Sequence, residues 1–338
     1  MDTLSPTLPL RASALPGEAR PTHRLAQVFF GLALVFTAVA VPLGDTFFLR
    51  LGTEALIFSG LAMSVDLLLG FTGMLSLGQA LFFGIGAYTS ALVLKHVSPS
   101  FWAAMAISLA VATVAGAVAA LMAIRTRGVY FALITFGMAQ VVSKVVYNTR
   151  AIGGSDGIIG IPQIKVGFGL FQVDTASGPA FFLLVLALML LAYFGISYVL
   201  GTPAGRILVA IRTNEGRLPF LGYSTRQAKF LAFVLAADLA AFSGALYPML
   251  RGFVSPELMY FNVSGDAVVT VVIGGLGTLI GAMYGSIVLT ALKSVVGTYT
   301  DHYPVIIGGL FMIAVIAFPR GLMGGVQTLL ARRRGGDS

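Results

Sequence analysis

Residues 101–124 read FWAAMAISLAVATVAGAVAALMAI, a stretch without a charged side chain. A helix needs about 20 apolar residues to cross a hydrocarbon core of about 30 Å, because each residue advances it about 1.5 Å. The stretch meets that length. Leu25 to Leu43 and Pro179 to Leu200 are equally free of charge, and Leu51 to Gly70, Ala80 to Leu94, Val129 to Tyr147, Phe230 to Leu250 and Val305 to Phe318 are further candidate spans. The composition agrees: 57% of the 338 residues are hydrophobic and 10% are Asp, Glu, Lys or Arg, against roughly 45–50% and about 25% in soluble domains. So few charges cannot cover the surface of a water-soluble chain of this length. The reading is an all-α membrane protein, a polytopic helical bundle.

Lys and Arg set its expected orientation, because positive loops stay cytoplasmic. With the N-terminus inside, one set of loops carries Arg11, Arg20, Arg24, Arg125, Arg127, Arg206, Arg212, Arg217, Arg226, Lys229, Arg320 and Arg332 to Arg334. The opposite set carries only Arg50, Lys95, Arg150, Lys165 and Arg251. The stretch Asp266 to Gly297 is too long for one span, and a single crossing would put the basic C-terminus outside. It is therefore expected to turn back at Gly274, Gly275, Gly277 and Gly281, as broken segments or as a tight hairpin, giving about ten segments in all, some short or discontinuous. Residues 1–24 are expected to be a disordered cytoplasmic tail, 25–319 a transmembrane domain with a cytoplasmic loop at 201–229, and 320–338 a basic cytoplasmic tail. Ala38-Val39-Ala40 resembles a signal-peptidase site, but the apolar run continues past it to Leu43 and no cleavage is expected.

Several chemistries are excluded or disfavoured. The chain has no cysteine, and His23, His96 and His302 lack the spacing of a metal site, so no metal or cofactor is expected. No G-x-x-x-x-G-K-[ST], H-E-x-x-H or G-x-S-x-G occurs, so the chain is read as a non-enzyme without its own ATPase site. Its basic residues flank apolar runs and do not share a polar face, which argues against nucleic acid.

Ionisable groups inside a membrane are costly and mark functional candidates. Glu54 and Asp266 lie near span ends within reach of water and read as structural. Asp66 and Asp238 lie deeper, as interhelical hydrogen-bonding residues or as substrate contacts. Between two spans, Gly70 to Gln79 mixes glycine with Thr72, Ser76 and Gln79. Such a segment either unwinds around Gly73 to present polar groups to a solute, as in discontinuous transporter helices, or makes a kinked connection. Residues 201–229 hold an amphipathic piece, Arg206 to Arg212, suited to a membrane surface or to a partner's groove.

Several of these stretches resemble one family. GFTGMLSLGQALFFGIGAYTSAL (70–92), RTRGVYFALITFGMAQ (125–140), GGSDGIIGIP (153–162), GRILVAIRTNE (205–215), GALYPMLRGFVSPE (244–257) and VVIGGLGTLIGAMYG (271–285) resemble, in that order, the LivM-type permeases of branched-chain amino acid ABC importers. The resemblance implies a multi-pass subunit of a bacterial inner membrane with both termini cytoplasmic. It implies as partners a LivH-type second permease, two cytoplasmic ATP-binding subunits and a periplasmic substrate-binding protein. It also implies an ATPase-coupling helix with Arg206, Arg212, Asn214, Glu215 and Gly222 at the matching positions. Gly216 and Pro219 depart from the family's helix-forming pattern, so the element is expected to be short or kinked. Urea or short amides are alternative cargoes of such permeases. A stand-alone secondary transporter is the rival class, disfavoured by the scarcity of acids inside the spans.

Overall fold

The computed structural model describes residues 27–33, 46–167, 172–175, 177–299, and 305, 306, 308, 309, 312 and 321. The expected tail 1–24, the tail 320–338 apart from Gly321, and most of the spans 25–43 and 305–318 lie outside them. Helix α1 covers 27–33. It is followed by α2 (Thr46–Asp66), α3 (Gln79–Leu92), α4 (Phe101–Ala123), α5 (Val129–Asn148), α6 (Gly178–Gly201), α7 (Pro203–Asn214), α8 (Thr225–Gly244), α9 (Tyr247–Arg251), α10 (Phe261–Gly274) and α11 (Leu279–Tyr299). Among the described residues, seven helical stretches are long and apolar enough to cross a membrane. The chain is an all-α polytopic membrane protein.

Helices α2, α3 and α8 form the centre. The first packs on α6, α8 and α11, the second on α4 and α8, and α4 also lies on α8. With no water to expel, helices in lipid associate through close backbone approach, which small residues permit. A Cβ added to Gly86 would sit 2.2 Å from the Ala241 carbonyl oxygen, and one on Gly244 would sit 2.0 Å from that of Phe83. Helices α3 and α8 therefore touch backbone to backbone. Serine hydroxyls stitch neighbours together: Ser90 donates to the Ala245 carbonyl at 2.8 Å and Ser286 to that of Ala55 at 2.7 Å, each bond contributing about 0.6–1.7 kcal/mol in a bilayer. On the periphery, Val114, Val118 and Met122 of α4, Val141 of α5 and Leu191 of α6 are exposed. Such a face is unfavourable in water and suits lipid.

Three interruptions shape one end of the bundle, here named the α7 end. Helix α2 widens into a π-helical turn, Leu67–Thr72, before an irregular stretch leads to α3. The long segment 261–299 breaks at 275–278, giving α10, α11 and a tight turn between them. A Cβ on Gly274 would lie 1.9 Å from the Gly281 carbonyl oxygen, so the hairpin closes only because both flanks are glycine. Helix α7 stops at Asn214, and Glu215–Leu221 continues as a 3-10 turn holding Pro219. Proline lacks the N–H of a helix interior and clashes with the carbonyl four residues back, so the α-helix ends before it. The opposite, α9 end carries antiparallel ribbons that the sequence reading missed: β1 (Ile158–Ile159) with β4 (Phe253–Val254), and β2 (Lys165–Gly167) with β3 (Gln172–Asp174).

Candidate functional site

Residues expected to serve separate tasks meet at the α7 end. Asp66, the last residue of α2, is fully buried. Its Oδ1 accepts the Gly277 N–H at 2.7 Å. Gly277 has φ +78° and occupies the hairpin turn between α10 and α11. A side chain there would meet the Gly70 carbonyl oxygen and Arg212 Nη1, each at 3.3 Å. From the other side, Arg212 of α7 lays its stem over Gly73 and donates from Nη1 to the Gly70 carbonyl. The carbonyl it takes belongs to the wide turn after α2, where the regular bonding pattern is already disturbed. One arginine on a surface helix thus grips the end of α2 and borders the hairpin turn, and Asp66 ties those two breaks together. Asp66 Oδ2 has no hydrogen-bond partner among the described residues.

Glu215 anchors the same loop laterally. It pairs with Lys229 at 2.7 Å and Arg127 at 3.4 Å. Lys229 is buried although charged, a position tolerated because the carboxylate neutralises it. Arg127 and Lys229 were read only as topology markers. Their convergence on Glu215 depends on how the α4–α5 connection, the 3-10 turn after α7 and α8 come together, which no local pattern encodes. A cavity of about 130 Å³, lined by Thr72, Gly73, Arg127, Arg212, Glu215 and Lys229 among others, lies between the two anchors.

The other candidates take different positions. Arg206, Asn214 and Gly222 are exposed. Thr72 turns its hydroxyl back to the Leu68 carbonyl, and Ser76 accepts from Gly78 N–H and Gln79 Nε2 at 3.4 Å. These two hydroxyls brace the irregular stretch. Gln79 Oε1 is buried without a partner among the described residues. Gly274 and Gly281 close the hairpin, and Gly275, with φ +117°, begins its turn. Asp238 stands apart, accepting from Thr113 of α4 at 2.8 Å. Beyond α7, Phe220 and Leu221 project from the 3-10 turn, Phe220 being 91% exposed.

A family model described as "Branched-chain amino acid transport system / permease component" matches residues 47–316. The chain is 32% identical over 319 residues to the high-affinity branched-chain amino acid transport system permease protein LivM of Escherichia coli (strain K12), an alignment covering 88% of this chain and 75% of that protein. It is 28% identical over 122 residues to the LivH permease protein of the same strain, covering 36% of this chain and 39% of the other. It is 30% identical over 159 residues to the autoinducer 2 import system permease protein LsrC of Klebsiella pneumoniae, covering 45% and 44%. No solved structure gives a significant match. The matched residues run from the start of α2 past α11 and include both helix breaks and the arginine-bearing α7 between them, so this chain belongs to the family of permease components of branched-chain amino acid transport systems.

Proposed function

We propose that the chain forms half of the translocation pathway of an ATP-driven importer for branched-chain amino acids in a bacterial inner membrane, with the α7 end and both termini in the cytoplasm. A LivH-like permease is the second half, two separate ATP-binding subunits supply the energy, and a periplasmic binding protein delivers the solute. One observation carries this reading: Arg212 of α7 holds the Gly70 carbonyl at the end of α2 and lies beside the hairpin turn that Asp66 secures.

A conformational change requires an input that favours one of two states. The chain has no phosphate-binding loop of its own, so the input arrives from a partner. The exposed Phe220 and Leu221 offer an apolar contact at the loop's tip, of the kind by which exposed apolar surface marks a protein interface. Pulling α7 then shifts the ends of α2 and of the α10–α11 hairpin together. Those irregular backbone stretches are where a membrane protein admits polar solutes. Asp66 and Gln79 supply polar atoms on that route, and Thr72, Gly73 and Ser76 give it its irregular backbone.

The test is uptake of radiolabelled leucine, isoleucine and valine by vesicles holding the permease pair, the ATP-binding subunits and the binding protein. The expected result is accumulation that needs internal ATP and all the subunits. Accumulation driven by an ion gradient without the ATP-binding subunits would overturn the proposal.

A further inference from the structure

A larger cleft opens in the half of the bundle away from α7, between α2, α9, α10 and α11, with a volume of about 630 Å³. That is within the range of roughly 300–1,000 Å³ typical of small-molecule sites. Five ionisable side chains line it: Arg50 and Glu54 from α2, Arg251 from α9, Asp266 from α10 and Lys293 from α11. Arg251 Nη2 contacts both carboxylate oxygens of Glu54 at 2.6 Å, and Lys293 pairs with Asp266. Arg50 is exposed and has no ion-pair partner among the described residues. Further along α2 the lining includes Phe58 and Leu61, together with Thr270 of α10 and Ser286 of α11, whose hydroxyls already donate to the Asp266 and Ala55 carbonyls. From Arg50 to Leu61 the cleft descends ~16 Å along α2, about half the thickness of the hydrocarbon core. Asp66 lies little more than one turn further on.

The arrangement contains a ligand description. Three cations against two anions leave a surplus positive charge, and both signs are presented within one cleft. The Asp266 and Lys293 side chains are 38% and 34% exposed, so that pair is wet and can exchange partners at small cost, whereas Glu54 is 16% exposed against Arg251 at 45% and leaves the outer face of the guanidinium open to a ligand. The charged groups stand at the mouth of the cleft, at the span ends, and the cleft runs on from them along α2, the form of an entrance to a solute path. We infer that this cleft receives a free α-amino acid as its zwitterion, the carboxylate toward Arg50 and Arg251, the ammonium toward Glu54 and Asp266, and an apolar side chain toward Phe58 and Leu61. The inference rests on the proposed function and deepens it: selection for a zwitterion with an apolar side chain resides in the permease as well as in the binding protein. A lipid with an ammonium and a phosphate carries similar charges, and the experiment separates the two sources.

The experiment compares ATP-dependent leucine uptake by the assembled transporter at equal complex abundance, in vesicles of phosphatidylglycerol alone and in vesicles rich in phosphatidylethanolamine. Exchanging Glu54→Arg with Arg251→Glu keeps an ion pair and the net charge but reverses its direction. The expected result is an uptake loss of about tenfold in both lipids, the factor equivalent to about 1.4 kcal/mol. Arg50→Gln, which breaks no pair, is expected to lose severalfold. Wild-type uptake in the exchanged variant or in Arg50→Gln would overturn the inference, as would a loss confined to phosphatidylethanolamine, which assigns the cleft to a headgroup. A wild-type complex that accumulates no amino acid at all would remove the functional proposal and this inference with it, before any variant is compared.

Discussion

Arg212 links three backbone segments because its side chain is long, planar and always charged. A carbonyl in a disturbed helical turn is a ready acceptor, and a guanidinium hydrogen bond to it contributes about 1.5–3 kcal/mol. Lysine can lay the same stem over Gly73 but ends in a shorter, non-planar ammonium, so it cannot reproduce the reach of Nη1 to the Gly70 carbonyl beside Gly277. Arg212→Ala and Arg212→Lys are both expected to assemble, and both are expected to import less solute per ATP hydrolysed. The loss for alanine is expected to be on the order of tenfold or more. Parallel measurement of uptake and phosphate release in vesicles checks this, and an unchanged ratio in both variants would deny Arg212 a part in coupling. Asp66 is the counterpart: Asp66→Ala leaves the Gly277 amide without its acceptor and is expected to cost about 1–3 kcal/mol of stability, measured as a lowered unfolding midpoint in detergent. Asp66→Asn keeps an oxygen for that amide and is expected to retain most of the midpoint.

At the scale of the element, the α10–α11 hairpin depends on atoms that are absent. With 1.9 Å between a Gly274 Cβ and the Gly281 carbonyl oxygen, Gly274→Ala must push the two helices apart. It is expected to lower both the unfolding midpoint and the yield of assembled complex. Gly265→Ala, on the same helix with open space around it, serves as the control and is expected to be close to neutral. This hairpin also shows what was legible in advance. The excess length of 266–297 and the positive C-terminal tail demanded a reversal, and clustered glycines named its place. The departure at Gly216 and Pro219 suggested a short or kinked element, and α7 ends at Asn214 with a 3-10 turn after it, because proline's effect is local. The partners of each charge were not legible. Glu54 and Asp266, read as structural because they lie near span ends, belong to the cleft, and Arg212 and Glu215 face inward to Gly70, Lys229 and Arg127. Periodicity tells which face of a helix is apolar. It does not tell which helix stands opposite, and a uniformly apolar span such as α4 carries no directional pattern at all.

For the whole molecule, the buried trio α2, α3 and α8, the lipid-facing outer helices and the linked breaks at one end support the proposal of a body moved from outside itself. The central claim is that the α7 end lies in the cytoplasm and is gripped there by a separate motor. The chain has no cysteine, so a single Phe220→Cys substitution gives a unique probe at a site that is almost fully exposed. Reaction with a membrane-impermeant thiol reagent, in intact cells and in inverted membrane vesicles with and without the ATP-binding subunits, is the most direct test. The account predicts no labelling in intact cells, rapid labelling in inverted vesicles stripped of those subunits, and protection when they are bound. Labelling of intact cells, or labelling in inverted vesicles that the ATP-binding subunits leave unchanged, would contradict it.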